Sequence, residues 1–174
     1  MLGDEEIRSR LAQVEVTQWK GQVYRHMFAG ITPDRENVRG ARWNAPGVAA
    51  IYTTMERKTA LAEADYRLSL ESIPLRKDVR RTIYRIRVEL NSVVDLSDWA
   101  QLSKFGITTA ILEDIAKSSL QACQQIGSSV DWHEYDGLLV PSGRGDGANL
   151  VIYPSNQRPG WSFEVVDSEE VGGE

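Results

Sequence analysis

The sequence contains one cysteine and two histidines in 174 residues. A single cysteine, Cys123, excludes an intramolecular disulfide and any zinc or iron–sulfur site that needs several cysteines. The histidines, His26 and His133, form no HExxH motif, and the chain has no carboxylate-rich calcium loop. We therefore predict no metal site, structural roles for both histidines, and a fold held together without covalent cross-links.

Long apolar runs are also absent. No stretch approaches the roughly 20 apolar residues of a membrane-spanning helix. The first six residues include Asp4, Glu5 and Glu6, whereas a signal peptide begins with basic residues and continues with apolar ones. We expect a cytoplasmic protein that does not bind membranes, and the single cysteine agrees with a reducing compartment.

The chain lacks an excess of basic residues as well. It has 20 Lys and Arg against 25 Asp and Glu, a net charge of −5 and a pI near 5.2. This balance disfavours sequence-independent binding to nucleic acid, so we expect no direct nucleic-acid partner. The length, with 41% hydrophobic and 26% charged residues, is typical of one folded domain.

Hydrophobic spacing predicts a mixture of helices and strands. Helical intervals occur in residues 5–14, in 58–68 with Thr59 as N-cap, and in 108–126, which should bury Ile111, Leu112, Ile115 and Leu120. Apolar or alternating runs predict strands at 16–27, 48–53, 79–90, 137–140, 149–153 and 161–166. Turn-forming residues predict a long loop at 30–47, and the acidic end, 167–174, should fray. The predicted fold class is α+β with several short strands and about three helices.

Several common catalytic arrangements find no support. Cys123 falls within a predicted helix without an obvious activating neighbour, so a buried, unreactive thiol is expected there. The chain has no GxSxG motif of a serine hydrolase. The stretch Gly143–Gly147 matches neither a P-loop nor GxGxxG and is predicted to be a hairpin turn.

A set of short motifs follows in order between Val23 and Pro154. They are Tyr24-Arg25, Arg42-Trp43-Asn44 before a Pro-Gly turn, Ile51-Tyr52-Thr53, Ala60-Leu61-Ala62-Glu63, the run from Asp136 to Ser142 and the run from Asn149 to Pro154. Together they resemble the RES domain, the toxin half of RES–Xre toxin–antitoxin systems. One departure is Gly40-Ala41, where the family usually has Gly-Gly before Arg-Trp-Asn.

The resemblance implies a fold related to ADP-ribosyltransferase toxins, with small split antiparallel or mixed sheets flanked by the helices. It implies a catalytic domain at residues 21–160, a helical extension at 1–20, and a strand with an acidic tail at 161–174. The implied activity destroys NAD by hydrolysis or phosphorolysis of the nicotinamide–ribose bond and so arrests growth. NAD is then a substrate, and no cofactor is expected.

A partner is also implied: an Xre-like helix-turn-helix antitoxin that blocks the pocket with its own segment. Self-association into a homo-oligomer stays open.

The resemblance also suggests which residues form the site. The implied catalytic residues are Arg25, Arg42, Glu63 and Ser142. Tyr24, Asn44 and Tyr52 are implied to bind substrate together with Arg25, Arg42 and Ser142. The nearest other carboxylates, Glu56, Asp65 and Glu71, are expected to face solvent.

These residue types suit the implied chemistry. Guanidinium groups such as those of Arg25 and Arg42 bind pyrophosphate oxygens through paired, charge-assisted hydrogen bonds. Breaking the N-glycosidic bond develops positive charge on the ribose, which the Glu63 carboxylate would stabilise. Nicotinamide leaves a pyridinium as a neutral molecule, so one carboxylate suffices and no general acid is needed. Tyr52 would stack on the nicotinamide ring, and Ser142 would donate a hydrogen bond.

Two other functions stay open at this point. The same fold could transfer ADP-ribose to a protein or nucleic acid instead of to water or phosphate. Alternatively, the chain could bind NAD or a partner protein without turnover. Taken singly, Arg25, Arg42 and Glu63 would be ordinary surface charges, and only their order among the motifs favours an enzyme.

Overall fold

The computed structural model describes residues 2–70 and 80–172. The helices are α1 (Asp4–Leu11), α2 (Arg57–Leu70), α3 (Trp99–Leu102), α4 (Thr109–Glu113) and α5 (Lys117–Trp132). The strands are β1 (Val16–Phe28), β2 (Ile51–Thr54), β3 (Arg81–Asp95), β4 (Gly137–Pro141), β5 (Ala148–Ile152) and β6 (Ser162–Val171). The mixed α+β class is confirmed, although the described residues form five α-helices and not three.

The six strands form one sheet that curves back on itself, so the expectation of small split sheets is wrong for the described residues. Strand β3 pairs with β1 along one edge, and its other edge pairs with β6 over the first half and with β4 at the end. Strands β4 and β5 form an antiparallel hairpin, and β2 pairs with β5. The pair Tyr24 and Thr54 joins β2 to β1. Strands β3 and β4 run parallel, whereas the other pairings are antiparallel.

Helix α5 packs closely against the sheet and the loop before β2. Cys123, Ile126 and Val130 on its inner face join a core that includes Trp43. Gly127 permits this approach, because a Cβ atom there would lie 1.8 Å from the Trp43 carbonyl oxygen. The Cys123 thiol is fully buried as predicted, and burial raises its pKa. Trp43 thereby anchors the loop that leads into the cavities described below.

The predicted third helix is interrupted. The Asp114 carboxylate accepts hydrogen bonds from the Ala116 amide at 3.0 Å and the Ser119 hydroxyl at 2.8 Å, which ends α4 and fixes the start of α5. The prediction of Ile115 as a core residue is therefore wrong, because it lies in the link and is 51% exposed. Leu112 is buried, whereas Ile111 and Leu120 are half-buried.

The acidic end is also more ordered than predicted. Strand β6 continues to Val171, and its carboxylates Glu164, Asp167 and Glu169 form ion pairs with arginines outside the strand. Backbone pairing with β3 extends to Val171 opposite Arg81. The predicted fraying from residue 167 is thus wrong through residue 171, while 173–174 lie outside the described residues.

Other boundaries differ by a few residues. Helix α2 begins at Arg57, so Thr59 is not its N-cap but is buried in its first turn. Strand β3 runs to Asp95, past the predicted end at residue 90, and residue 79 lies outside the described part of the chain. The hairpin predicted around Gly143–Gly147 is confirmed. No helix within residues 2–70 and 80–172 has the length and apolarity to cross a bilayer.

Candidate active site

The carboxylate of Glu63 is held by two side chains from the β4–β5 hairpin. Its Oε1 atom accepts a hydrogen bond from the Ser142 hydroxyl at 2.6 Å and another from the Asn149 amide at 2.7 Å. Both partners are almost completely buried. The Oε2 atom has no hydrogen-bond partner among the described residues. One oxygen is therefore fixed by the protein, and the other stays available to a ligand.

The sequence of the hairpin turn sets this geometry. Ser142 lies directly after β4, where its amide donates to the Gly147 carbonyl at 2.8 Å and its hydroxyl accepts from the Arg144 amide at 3.1 Å. Gly147 lies against the first turn of α2, and a Cβ atom there would be 2.4 Å from the Thr59 hydroxyl. The glycine lets the turn approach α2 closely enough for Ser142 to reach the carboxylate one helical turn later.

Two adjoining cavities open beside Glu63. The larger is about 650 Å³ and extends along β1, the loop before β2 and one side of α2. The smaller is about 250 Å³ and lies between α2, α4 and the hairpin turn. Both are lined by Ala41, Tyr52, Glu63 and Arg67. The carboxylate thus lies where the cavities meet, and a ligand of two connected parts could occupy both.

Arg25 lines the larger cavity with Tyr24 next to it. The guanidinium donates to the Arg35 carbonyl at 2.6 Å and contacts the Met27 sulfur at 3.1 Å, while its buried Nη1 has no partner among the described residues. Burial, and then the nearby charge of Arg67, lower the Arg25 pKa to about 10. The group is still protonated at neutral pH and has a free donor for an anionic ligand.

Arg42 lines the smaller cavity and is tied to the end of α4. It donates to the carbonyl oxygens of Ile111 at 3.3 Å and Asp114 at 2.9 Å. Arg144 donates to the carbonyl of Glu113, one residue before Asp114, at 2.9 Å. Its guanidinium lies 3.4 Å from the centre of the Tyr66 ring. The two arginines therefore form one wall of the smaller cavity while satisfying free carbonyls of the helix end.

The loop before β2 is organised around Tyr52 and Asn44. The Tyr52 hydroxyl accepts from the Trp43 amide at 2.8 Å and donates to Asn44 Oδ1 at 2.7 Å. The Asn44 amide donates to the Asn37 carbonyl at 3.0 Å and the Val48 carbonyl at 2.7 Å. Asn44 is fully buried and lines neither cavity, so its polar atoms serve the loop. Burial raises the Tyr52 pKa, and the neutral phenol lines both cavities.

The structure thus brings Glu63 and Ser142 into contact and places Tyr24, Arg25, Arg42 and Tyr52 at the cavity walls. Ser142 lies behind Glu63 and lines neither cavity, so it orients the carboxylate. The other carboxylates behave as surface groups: Asp65 pairs with Arg81 and Glu56 with Lys58. Glu71 lies outside the described residues.

Three residues of this region were missed by the sequence reasoning. Asn149 belongs to a motif noted there, but only the hairpin register shows that its amide reaches Glu63. Arg67 follows Glu63 by four residues, and that spacing places both on one face of a helix. His26 lines the larger cavity, where burial lowers its pKa to about 4, so the ring is neutral at pH 7.

This arrangement is suited to stabilising a cation and binding anions. A fixed carboxylate favours positive charge that develops beside it, and the arginines around it favour phosphate or pyrophosphate oxygens. Within residues 2–70 and 80–172, no three His, Cys, Asp or Glu side chains converge closely enough to hold a metal ion.

Comparison with known proteins shows the family to which this chain is similar. The model of the RES domain family matches residues 15–171. The NAD(+) phosphorylase MbcT of Mycobacterium bovis is 24% identical over 163 residues, which is 90% of this chain and 86% of that protein, and the same values hold for MbcT of Mycobacterium tuberculosis. The crystal structure of the M. tuberculosis MbcT-MbcA toxin-antitoxin complex matches with a TM-score of 0.81 and 22% identity, covering 97% of this chain and 93% of that one.

Proposed function

The chain belongs to the RES domain family, and we propose that it is a toxin that breaks the nicotinamide–ribose bond of NAD and transfers ADP-ribose to inorganic phosphate. The similarity to proteins named NAD(+) phosphorylase favours phosphate over water as the acceptor. The fold is proposed to be that of the ADP-ribosyltransferase toxins. We further propose that the protein acts in the cytoplasm.

The carboxylate of Glu63, fixed at the junction of two cavities, is the observation that supports this proposal most directly. When the glycosidic bond lengthens, positive charge appears on C1′ and the ring oxygen of the ribose. A carboxylate that is already oriented stabilises this charge without rearranging during the reaction. The buried donors Ser142 and Asn149 supply that orientation.

The reaction balances without a general acid or a redox partner. An oxygen of hydrogen phosphate forms a bond to C1′, and the bond from C1′ to the pyridinium nitrogen breaks. Its electron pair stays on that nitrogen, so nicotinamide leaves neutral. The other product is ADP-ribose phosphorylated at the same carbon. Arg25, with its free buried donor, is proposed to bind the pyrophosphate of the substrate. Arg42 lines the smaller cavity and is proposed to bind the part of the substrate that enters it.

An antitoxin is the expected protein partner, because this chain shares its fold with one chain of a solved toxin–antitoxin complex. We propose that the partner is Xre-like, with a helix-turn-helix domain, and that it covers the cavities beside Glu63. Expression of the chain alone should then arrest growth, whereas expression of an inactive variant should not.

Nicotinamide release from NAD by the purified protein tests the proposal. We expect release that depends on phosphate and that falls at least 100-fold in Glu63→Gln, which keeps the shape of the side chain but removes its charge. Glu56→Gln is the matched control, because Glu56 lies just before α2 and lines neither cavity. Equal activity of Glu63→Gln and wild type would contradict the mechanism, and label transferred from NAD to a macromolecule would indicate ADP-ribosylation instead.

A further inference from the structure

Arg67 lies where the two cavities meet. It follows Glu63 by one helical turn on α2, so its side chain projects from the same face as the carboxylate. It lines both cavities, a property shared with Glu63, Tyr52 and Ala41. The residue is exposed, so a small solute can reach it from solvent.

Within the part of the chain that the structure describes, the positive charge of Arg67 is not neutralised by a neighbour. Among the described residues, no carboxylate lies within ion-pair distance of its guanidinium, and no hydrogen bond fixes it. By contrast, Arg57 on the same helix forms a two-point ion pair with Glu169. After the larger effect of burial, the charge of Arg67 also lowers the pKa of Arg25 across the cavity.

The surrounding cavity is basic although the chain is acidic. Its walls include Arg25, Arg35, Arg39 and Arg67 against Glu36 and Glu63. Arg25 and Arg67 repel each other, and a bound anion would remove that repulsion.

Phosphorolysis requires that phosphate bind next to the Glu63 carboxylate. Inorganic phosphate is an anion at pH 7 and is repelled by a carboxylate at the reacting carbon. The attacking phosphate must nevertheless approach the carbon that Glu63 stabilises. A guanidinium next to the carboxylate offsets the repulsion and holds two phosphate oxygens in a fixed plane.

We propose that Arg67 binds a phosphate group at the junction of the two cavities and that this group is the inorganic phosphate that accepts ADP-ribose. The assignment to the acceptor rests on the proposed function. Binding of a phosphate group by Arg67 rests on the geometry and charge alone. The pyrophosphate of the dinucleotide offers the same chemistry, so the experiment must separate the two sources.

The first measurement is binding of inorganic phosphate to the purified protein without NAD, by isothermal titration calorimetry. Arg67→Ala should weaken binding at least tenfold, Arg67→Lys should weaken it less, and Arg57→Ala should bind as wild type does. Arg57→Ala is the matched control because it removes an arginine from the same helix outside both cavities. Equal phosphate binding by wild type and Arg67→Ala would overturn the proposal, and this result does not depend on NAD cleavage.

The second measurement is steady-state cleavage of NAD with phosphate and NAD varied separately. The proposal predicts that Arg67→Ala raises the KM for phosphate at least tenfold, changes the KM for NAD less than threefold, and forms a larger share of free ADP-ribose. An increase confined to the KM for NAD would place Arg67 at the dinucleotide and overturn its assignment to the acceptor. If wild type binds phosphate through Arg67 but does not cleave NAD, the proposed function fails while the phosphate site stands.

Discussion

Replacing Ser142 with alanine removes one of the two hydrogen bonds that hold the Glu63 carboxylate. The hydroxyl lies 2.6 Å from Glu63 Oε1 in a nearly solvent-free position. A hydrogen bond to a charged group contributes about 1.5–3 kcal/mol. If this energy is used to orient the carboxylate in the transition state, its loss lowers kcat/KM by roughly 10- to 150-fold, at about 1.4 kcal/mol for each factor of ten.

The assay is phosphate-dependent nicotinamide release by folded Ser142→Ala protein. Because Ser142 lines neither cavity, the loss should appear mainly in kcat, with little change in the KM for NAD. Ser129→Ala is the control, since Ser129 is equally buried but donates to the Gln125 carbonyl within α5. A kcat/KM within twofold of wild type for Ser142→Ala would refute the orienting role of this hydrogen bond.

Three further predictions concern stability. Arg42→Ala should lower the free energy of unfolding by about 1.5–3 kcal/mol in urea titration, because two carbonyls at the end of α4 lose a charged donor. Gly127→Ala should cost about 3 kcal/mol or more by the same measurement, because its Cβ would lie 1.8 Å from the Trp43 carbonyl oxygen. His26 has a pKa of about 4 in the folded protein against about 6.5 when unfolded, so the unfolded state binds the proton more readily. The contribution of neutral His26 to the free energy of unfolding should therefore be lost as pH falls from 6.5 to 4. In thermal melts, the Tm of His26→Gln should fall less steeply over this pH range than the Tm of wild type.

The strands were predicted well because their hydrophobic patterns are local. Strand β3 alternates in sequence, and Ile86, Val88 and Leu90 are buried as that alternation requires. The break between α4 and α5 was missed because Asp114 acts through its side chain, which accepts hydrogen bonds from Ala116 and Ser119. The spacing of apolar residues carries no information about such a side-chain hydrogen bond.

The candidate site depends on contacts between distant segments. Glu63 and Ser142 are 79 residues apart, and the resemblance to the RES domain placed both in one site without giving their relation. Their relation follows from the packing of the hairpin turn on α2 at Gly147, which no local pattern reveals. Local pattern also does not show the contacts of Asn44. Its motif suggested substrate binding, whereas its amide donates hydrogen bonds to two carbonyl oxygens of the loop before β2.

The extended end of β6 shows a different limit. Its acidic composition predicts a solvated tail, yet arginines on β3 and α2 pair with its carboxylates and the backbone continues the sheet. Composition reports the charge of a segment but not the charges that will face it.

Phosphorus NMR of purified protein incubated with NAD and phosphate separates phosphorolysis of NAD from hydrolysis and from inactivity. Phosphorolysis predicts a new phosphate-ester signal that grows in step with free nicotinamide, and no such signal with Glu63→Gln. Nicotinamide release without a new phosphate ester would contradict phosphate as the acceptor. Unchanged NAD after long incubation with folded wild-type protein would contradict the proposed activity itself.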